Sequence, residues 1–484
     1  MHSLILALVV LVGGYFLYGM VVEKLMGVDP QRATPAYALR DNVDFMPLPT
    51  WKVFLIQFLN IAGLGPIFGA IMGIMFGPAA FLWIALGTIF AGGVHDFTSA
   101  FISMRSGGAS LPEIVGTQLG NKIRIAMRAF SLLLMILVAA VFVVTPAGII
   151  ASMTPEYLNR EFWLIVIFVY YILATLLPID KIIGNLYPVF GFALLFMAVG
   201  ILAVMLLGNH TIPDGITEGL FNRYPAESAD SHPLFPMMFV SIACGAISGF
   251  HATQSPMMAR CLKNERLARP VFYGAMVAEG LVAIIWAAAA ITFTGGYEQL
   301  AQYMADGGTA GALVKDISMN WLGVAGGLLA LMGVIFAPIT SGDTALRSAR
   351  LIAADFLKIP QNSIKKRLLL CIPIFALTLT VMMIDFSVLW RYFAWCNQTL
   401  AAFTLWGVTA WLARNGKNYV ATLLPALFMT AVCISYLLCA PTPEGFGFTM
   451  EIAIGAALAV DVAVLALFIK KIHNPLNELR RINS

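Results

Sequence analysis

The chain has 484 residues, 60% of them apolar and only 11% charged, with a net charge of +4 and a mean hydropathy of +0.86. These values lie outside soluble globular statistics, and the apolar runs spread over the whole length, so one integral membrane domain is expected. So small a net charge points to no nucleic-acid partner. The six cysteines (Cys244, Cys261, Cys371, Cys396, Cys433 and Cys439) form no C-x-x-C pair and read as small core hydrophobes, not as a disulfide framework or zinc site.

Taken in order, apolar runs of about 20 residues predict an all-α polytopic protein with roughly thirteen transmembrane helices. The first, residues 4–22, lacks the positive flank and small-residue cleavage site of a signal peptide and is expected to remain as a helix. The second, WKVFLIQFLNIAGLGPIFGAIMGIMF over 51–76, is interrupted by Asn60, Gly63, Gly65 and Pro66. Glycine disfavours helix interiors and proline removes a backbone donor, so two half-helices with unwound backbone between them are expected. Inside a bilayer such backbone survives only where it lines a cavity or is buried in protein. Spans at 81–104, 125–150, 162–177 and 186–207 follow, and GGASLPEIVGTQL at 107–119 is too short to cross and reads as an interfacial or gating element. After a polar loop at 209–233 come spans at 234–254, 270–293, 321–341, 368–384, 388–412, 420–438 and 452–469.

The stretch FVSIACGAISGFHATQSPMMAR, 239–260, holds a second interruption with Gly245, Ser248, Gly249 and Pro256. It comes five spans after the first, which reverses its direction across the membrane and predicts a five-plus-five inverted-repeat core with the site where the two broken helices meet. FLNIAG at 58–63 and FVSIACG at 239–245 echo that symmetry faintly. The expected division is an extra helix and cytoplasmic loop at 1–50, repeat one at 51–208, an extracytoplasmic loop at 209–233, repeat two at 234–413, and two further helices with a cytoplasmic tail at 414–484. Gly69, Gly73, Gly326 and Gly327 read instead as allowances for close helix packing.

Basic residues set the expected orientation, N-terminus outside and C-terminus in the cytoplasm. Alternate connections carry nearly all of the 29 Lys and Arg, from Lys24, Arg32, Arg40 and Lys52 to Lys470, Lys471, Arg480 and Arg481, whereas the opposite connections carry Arg160, Arg223 and Lys315.

Ionisable groups within spans are costly and are functional candidates by default. His95 and Asp96 lie well inside the third span; adjacent helical residues point about 100° apart, so one is expected to face the cavity while the other holds a neighbour. His251 sits in the second interruption beside Thr253, Gln254 and Ser255, where an imidazole suits proton coupling or fixes the broken helix. In GVIFAPITSGDTALRSAR, Pro338 and Gly342 are expected to loosen the helix. That would gather Thr340, Ser341 and Asp343 as a hard-cation or proton site, unless Asp343 simply pairs with Arg347. Glu279 and Asp461 are lone carboxylates that relay protons or anchor helices, and Arg391 is expected to snorkel. A metal site of His95, Asp96 and His251 lacks any supporting ligand spacing, so no metal and no cofactor are expected beyond H+ or Na+ as a coupling ion.

Five blocks carry a family resemblance: DPQRATPAY (29–37), PTWKVFLIQFLNIAGLGPIFGAI (49–71), FGPAAFLWIALGTIFAGGVHDF (76–97), ISGFHATQSPMMARCLKNE (247–265) and APITSGDTALRSARL (337–351). In these the chain resembles the carbon starvation protein A family, and more broadly the amino acid–polyamine–organocation fold, a ten-helix inverted repeat with two broken helices. It is shorter than the long family members, which carry more C-terminal membrane segments. The resemblance implies an inner-membrane transporter of pyruvate or short peptides, induced in carbon limitation and proton-coupled, and not an enzyme. It puts substrate contacts at Asn60, Gly63, Gly65, Pro66, Ser248, Gly249, Thr253 and Gln254, and with the ionisable groups read above the expected coupling set is His95, Asp96, His251, Thr340, Ser341 and Asp343. Thr340 and Ser341 match the hydroxyl pair of sodium-coupled relatives. A small carboxylate needs only half-helix N-termini and a hydroxyl or amide, whereas a peptide also needs an acidic contact for its amine, from Asp96 or Asp343. A membrane-embedded metal hydrolase, a channel and a nutrient sensor are the competing classes.

Overall fold

The computed structural model describes residues 2–41, 45–176, 179–208, 210–215, 219–225, 229, 232–359 and 363–472. Leu177, Asn209, Arg480 and Arg481 lie outside the described residues. Among the described residues all of the regular secondary structure is helical. Eight helices are long and apolar enough to cross a membrane, nine when the bent pair at the first interruption is taken as one span. Helices also occupy three of the four predicted spans outside that set, at Arg160–Leu176, Ile364–Val381 and Phe386–Arg414, and the fourth, 234–254, contains the second interruption.

We label the helices α1 (His2–Met26), α2 (Thr50–Ile61), α3 (Gly65–Ile74), α4 (Ala79–Arg105), α5 (Leu111–Leu119), α6 (Asn121–Ala151), α7 (Arg160–Leu176) and α8 (Ile179–Leu207). The second half continues with α9 (His251–Ala259), α10 (Glu265–Thr294), α11 (Tyr297–Ala305), α12 (Ala310–Leu357), α13 (Ile364–Val381), α14 (Phe386–Arg414), α15 (Val420–Cys439) and α16 (Met450–Ile472). The element order repeats. A broken helix is followed by a long helix, a short helix of 9 residues (α5, α11) and another long helix (α6, α12). The most apolar stretch of α6 is 83% inside protein and that of α16 only 17%, so the repeats form the centre and the last helix lies at the edge.

Both interruptions are real breaks. α2 stops at Ile61, residues 62–64 are non-helical, and α3 leaves at 54° to α2. In the second half a helical stretch ends at Ser241, residues 242–250 are irregular, and α9 starts at His251. Here the structure corrects the sequence reading: Pro256 lies inside α9, not in the break, so glycine and serine alone open this segment. The breaks face each other. A Cβ on Gly69 would sit 3.0 Å from the Ser241 carbonyl oxygen, and one on Gly65 would overlap the Cys244 side chain. That crossing exists only because position 65 has no side chain.

A second correction concerns α12. It is helical straight through Pro338 and Gly342, and its kink is at Gly323, where φ is +67°. The carbonyls near the proline are occupied: the Tyr171 hydroxyl donates to Pro338 O at 3.2 Å, and the Ser341 and Thr340 hydroxyls donate to Ala337 O at 2.9 Å each. These hydroxyls bond carbonyls beside the proline, whereas the acceptor that its missing N–H leaves open is the Val334 carbonyl, four residues back.

The crossing gives a stability test. Gly65→Ala is expected to cost about 1–3 kcal/mol, the usual price of overpacking, seen as a lower melting temperature in detergent. Cys244→Gly in the same chain should restore most of the loss, and full additivity of the two changes would show that positions 65 and 244 do not press on each other.

Candidate functional site

Where the breaks meet, four titratable side chains are fully buried together. Asp96, one turn into the regular part of α4, accepts from His95 Nδ1 at 2.8 Å through Oδ1 and from His251 Nδ1 at 3.0 Å through Oδ2. His251 turns its Nε2 to Glu279 Oε2 of α10 at 3.5 Å. A carboxylate accepting from both rings places the proton on each Nδ1 and leaves each Nε2 as the open position. His95 Nε2 has no hydrogen-bond partner, nor does either Glu279 oxygen.

His95 and Asp96 therefore do not diverge as expected from helix geometry; the two side chains bond to each other. Glu279, a lone carboxylate in the sequence, gains His251 as its neighbour. The expected coupling set is split. His95, Asp96 and His251 form one cluster, while Asp343 binds the Tyr170 hydroxyl at 2.7 Å and Thr340 donates to the Phe336 carbonyl one turn back in its own helix. Ser341 links the two regions, since its hydroxyl also reaches Leu59 O at 3.1 Å in the last turn of α2. Arg347 donates to Ala174 O at 2.7 Å, and Asp461 lies half-buried on α16. Arg391 does not snorkel freely but pairs with Glu444 at 2.8 Å. The three ligands of the metal reading do come together, yet as a hydrogen-bonded chain. Among the described residues no three His, Cys, Asp or Glu side chains are arranged to hold a metal ion.

The expected substrate contacts surround this cluster. Asn60, Ser248 and Gln254 are fully buried or nearly so, and the side-chain carbonyls of Asn60 and Gln254 have no partner. Thr253 donates to Phe250 O at 2.7 Å and accepts from Gln254 Nε2 at 2.9 Å. Gly63 approaches the Phe142 ring and Ser341, while Gly65 and Pro66 open α3, which starts without a side-chain cap. Unmatched buried polar atoms are rare in folded proteins, and clustered at a helix break they mark where a polar ligand fits.

Two residues that the sequence reading missed hold the second break in shape. The Asn397 side-chain oxygen accepts from Ser248 Oγ at 3.0 Å and Phe250 N at 2.7 Å, and its backbone carbonyl accepts from Gly249 N at 3.1 Å. Gln398 Nε2 donates to the carbonyls of Phe239 and Ala243, 3.2 Å each. The adjacent amides in the apolar run of α14 were the signal available. Asn397 thus takes the Gly249 and Phe250 N–H groups just before α9.

The family model described as carbon starvation protein CstA matches residues 1–156 and 149–322. The chain belongs to the carbon starvation protein CstA family. Among its relatives, an uncharacterized membrane protein of Haemophilus influenzae is 39% identical over 356 residues, 64% of this chain and 95% of that protein. The peptide transporter CstA of Campylobacter jejuni is 29% identical over 56% of this chain and 47% of its own length. The pyruvate/proton symporter BtsT of Escherichia coli is 28% identical over 56% of this chain and 46% of its own length. The matched region thus spans about half the length of these two CstA-family relatives. The fold is that of known transporters. An Eremococcus coleocola manganese transporter superposes with a TM-score of 0.55 at 13% identity, over 90% of this chain and 99% of that one. MhsT in complex with L-phenylalanine gives 0.52 at 15% identity, over 84% and 97%.

Asn397→Ala would strand the Ser248 hydroxyl and the Phe250 N–H. At about 1–3 kcal/mol for each buried unsatisfied group, a loss of roughly 2–6 kcal/mol is expected in thermal unfolding in detergent. The comparison is Thr404→Ala, whose hydroxyl bonds only to Leu400 O one turn back on the same helix. Equal losses in the two variants would contradict a bracing role for Asn397.

Proposed function

We propose that this protein is a secondary active transporter that imports a small carboxylate such as pyruvate together with protons, by alternating access around the meeting point of the two breaks. The reading includes an inner-membrane location with the N-terminus outside. The observation that carries it is the buried run His95–Asp96–His251–Glu279 at the second break. A proton arriving at His251 Nε2 makes an imidazolium between two carboxylates, and its loss leaves two buried acids sharing fewer protons. The charge state of the centre, and with it the fit of an anionic ligand, therefore depends on proton occupancy.

The anion is received beside the N-terminus of α3, where the helix dipole favours negative charge. Asn60, Ser248, Thr253 and Gln254 supply the remaining polar contacts. A short peptide is the second reading, in keeping with the names of several relatives. It needs an acid for the peptide amine, and the two candidates are already engaged, Asp96 by two imidazoles and Asp343 by the Tyr170 hydroxyl. That occupancy favours the carboxylate.

The test is uptake of labelled pyruvate into proteoliposomes under an imposed inward proton gradient, without sodium, with di- and tripeptides as competitors. One pH unit corresponds to about 1.4 kcal/mol, so coupling to one proton gives about tenfold accumulation. Glu279→Gln is expected to abolish accumulation and to keep pyruvate exchange at equal pH, because it removes a protonation site and not the ligand contacts. Wild-type-like accumulation by Glu279→Gln would overturn the relay, and peptide uptake that excludes pyruvate would shift the substrate to peptides.

A further inference from the structure

Between α6, α7, α12 and α14 lies a cavity of about 560 Å³. It opens at the surface beside the exposed residues Ser152, Arg160 and Thr309. Its inner end is apolar, formed by Phe68, Met72 and Trp390. Arg160, Lys315 and Arg391 line it, against one acid of the lining, Asp316. Lys315 also donates to the Ser152 carbonyl at 3.1 Å, at the end of α6, and Arg391 meets Glu444 at 2.8 Å from behind. Two further donors in the wall have no partner: the Arg391 Nε–H and the hydroxyl of Thr145, a residue 92% buried at 8% exposure.

Two of these cations, Arg160 and Lys315, are among the few basic residues that the sequence places on the sparsely basic side of the membrane. Cations are depleted on that side, yet they gather around one apolar-walled hollow. A solvated protein surface gives no reason for that, since solitary charges there gain little from neighbours of the same sign. Like charges held around a concave, low-dielectric wall raise the local concentration of anions.

The cavity is walled off from the breaks by rings. Phe68 of α3 meets Trp390 of α14 with centroids 6.1 Å apart, and the series continues through Trp390–Phe393 at 5.4 Å, Phe393–Phe142 at 6.2 Å and Phe142–Phe250 at 6.3 Å. Phe250 directly precedes His251. The column thus starts in the cavity wall and ends at the buried cluster.

We propose that this cavity is a loading site, separate from the site at the breaks, that takes a small organic anion. The carboxylate sits among Arg160, Lys315, Arg391 and Thr145, and the carbon body lies against Phe68 and Trp390 until the aromatic column opens. The proposal rests on the reading of the protein as a carboxylate carrier and extends it to a second site.

The experiment uses the full-length protein in phosphatidylcholine vesicles, which keep anionic lipid headgroups out of the measurement. Met304, on the cavity wall, is changed to cysteine, and its modification by sulfonatoethyl methanethiosulfonate is compared with that by the trimethylammonium reagent. With the unaltered chain as the background control, the anionic reagent is expected to gain on the cationic one. Arg160→Gln with Lys315→Gln should lower that ratio by roughly threefold or more, as removal of two nearby charges requires at a near-surface dielectric. Pyruvate should slow the anionic reaction, and in uptake the double variant should raise KM severalfold while leaving the maximal rate unchanged. A reactivity ratio and KM equal to those of the wild type would overturn the loading site. Pyruvate protection of Met304→Cys in a protein that accumulates no pyruvate would keep the loading site and reject the transport reading. Accumulation with no charge selectivity at position 304 would do the reverse.

Discussion

A carboxylate removed from water must be held by charge or by donated hydrogen bonds, and Asp96 imposes that requirement on the centre of this protein. Both of its oxygens are taken by imidazole donors, one from its own helix and one from the first residue of α9. His251 can reach Asp96 only if the chain breaks before it, because a continuous helix through 242–250 would carry it past. The second interruption is therefore the geometry that brings a histidine to a buried acid. Glu279 on α10 closes the set from the third side, so α4, α9 and α10 are registered against one another by four side chains.

The two breaks also hold each other in place. Gly65 and Gly69 let α3 lie directly on Ser241 and Cys244, and Gly245 would meet Ala283 of α10 at 2.8 Å if it carried a Cβ. Small residues let backbones approach where membrane packing has little hydrophobic drive to exploit. At the same place Thr88 of α4 donates to the Gly245 carbonyl at 3.0 Å and Gln398 of α14 takes two carbonyls of the interrupted segment. The acceptors released by unwinding are thus paired with side chains from the surrounding helices, as an apolar medium demands.

Much of this was legible in the sequence, because membrane burial forces a local signature. Long apolar runs marked the spans, and the two runs carrying glycine with polar residues marked the breaks and the inverted order. His95, Asp96 and His251 could be singled out since ionisable groups inside spans are costly. What could not be read was which partner each would find. Glu279 appeared alone because its neighbour is 28 positions away in the chain on another helix. Asn397 and Gln398 stood in a run that otherwise read as an ordinary span, and nothing local says which break an amide will brace. Pro338 misled for a related reason. A proline costs a helix one hydrogen bond, yet α12 runs on through it in a packed setting, where the Tyr171 hydroxyl of α7 also binds the Pro338 carbonyl.

The two ends of the molecule differ in a way that bears on how it works. At the end of α4, Arg105 forms a paired contact with Glu265, 2.6 and 2.7 Å, and Asp29 N–H adds a bond of 2.9 Å to the same carboxylate. Asn264 donates to Pro30 O at 2.6 Å, so the DPQRATP segment is laced to the α9–α10 turn. Glu265 is almost fully buried, and a buried ion pair that loses one partner leaves an uncompensated charge. α6 begins beside this end and runs away from it for 31 residues, about 1.5 Å each, to finish at the cavity with three cations. The laced end and the cavity are thus on opposite faces. One face is held by a buried ion pair and backbone bonds, while at the other the cavity is separated from the breaks by aromatic contacts, with the Arg391–Glu444 pair, its arginine exposed, beside it. Rings slide past one another at little cost compared with separating a buried ion pair, so the barrier to entry is lower from the cavity side. An alternating-access cycle that starts from this arrangement has its easy step at the aromatic column, and its costly step is the parting of Arg105 from Glu265. The turn that carries Glu265 joins α9 to α10, so a parting of that pair would act on the two helices that hold His251 and Glu279.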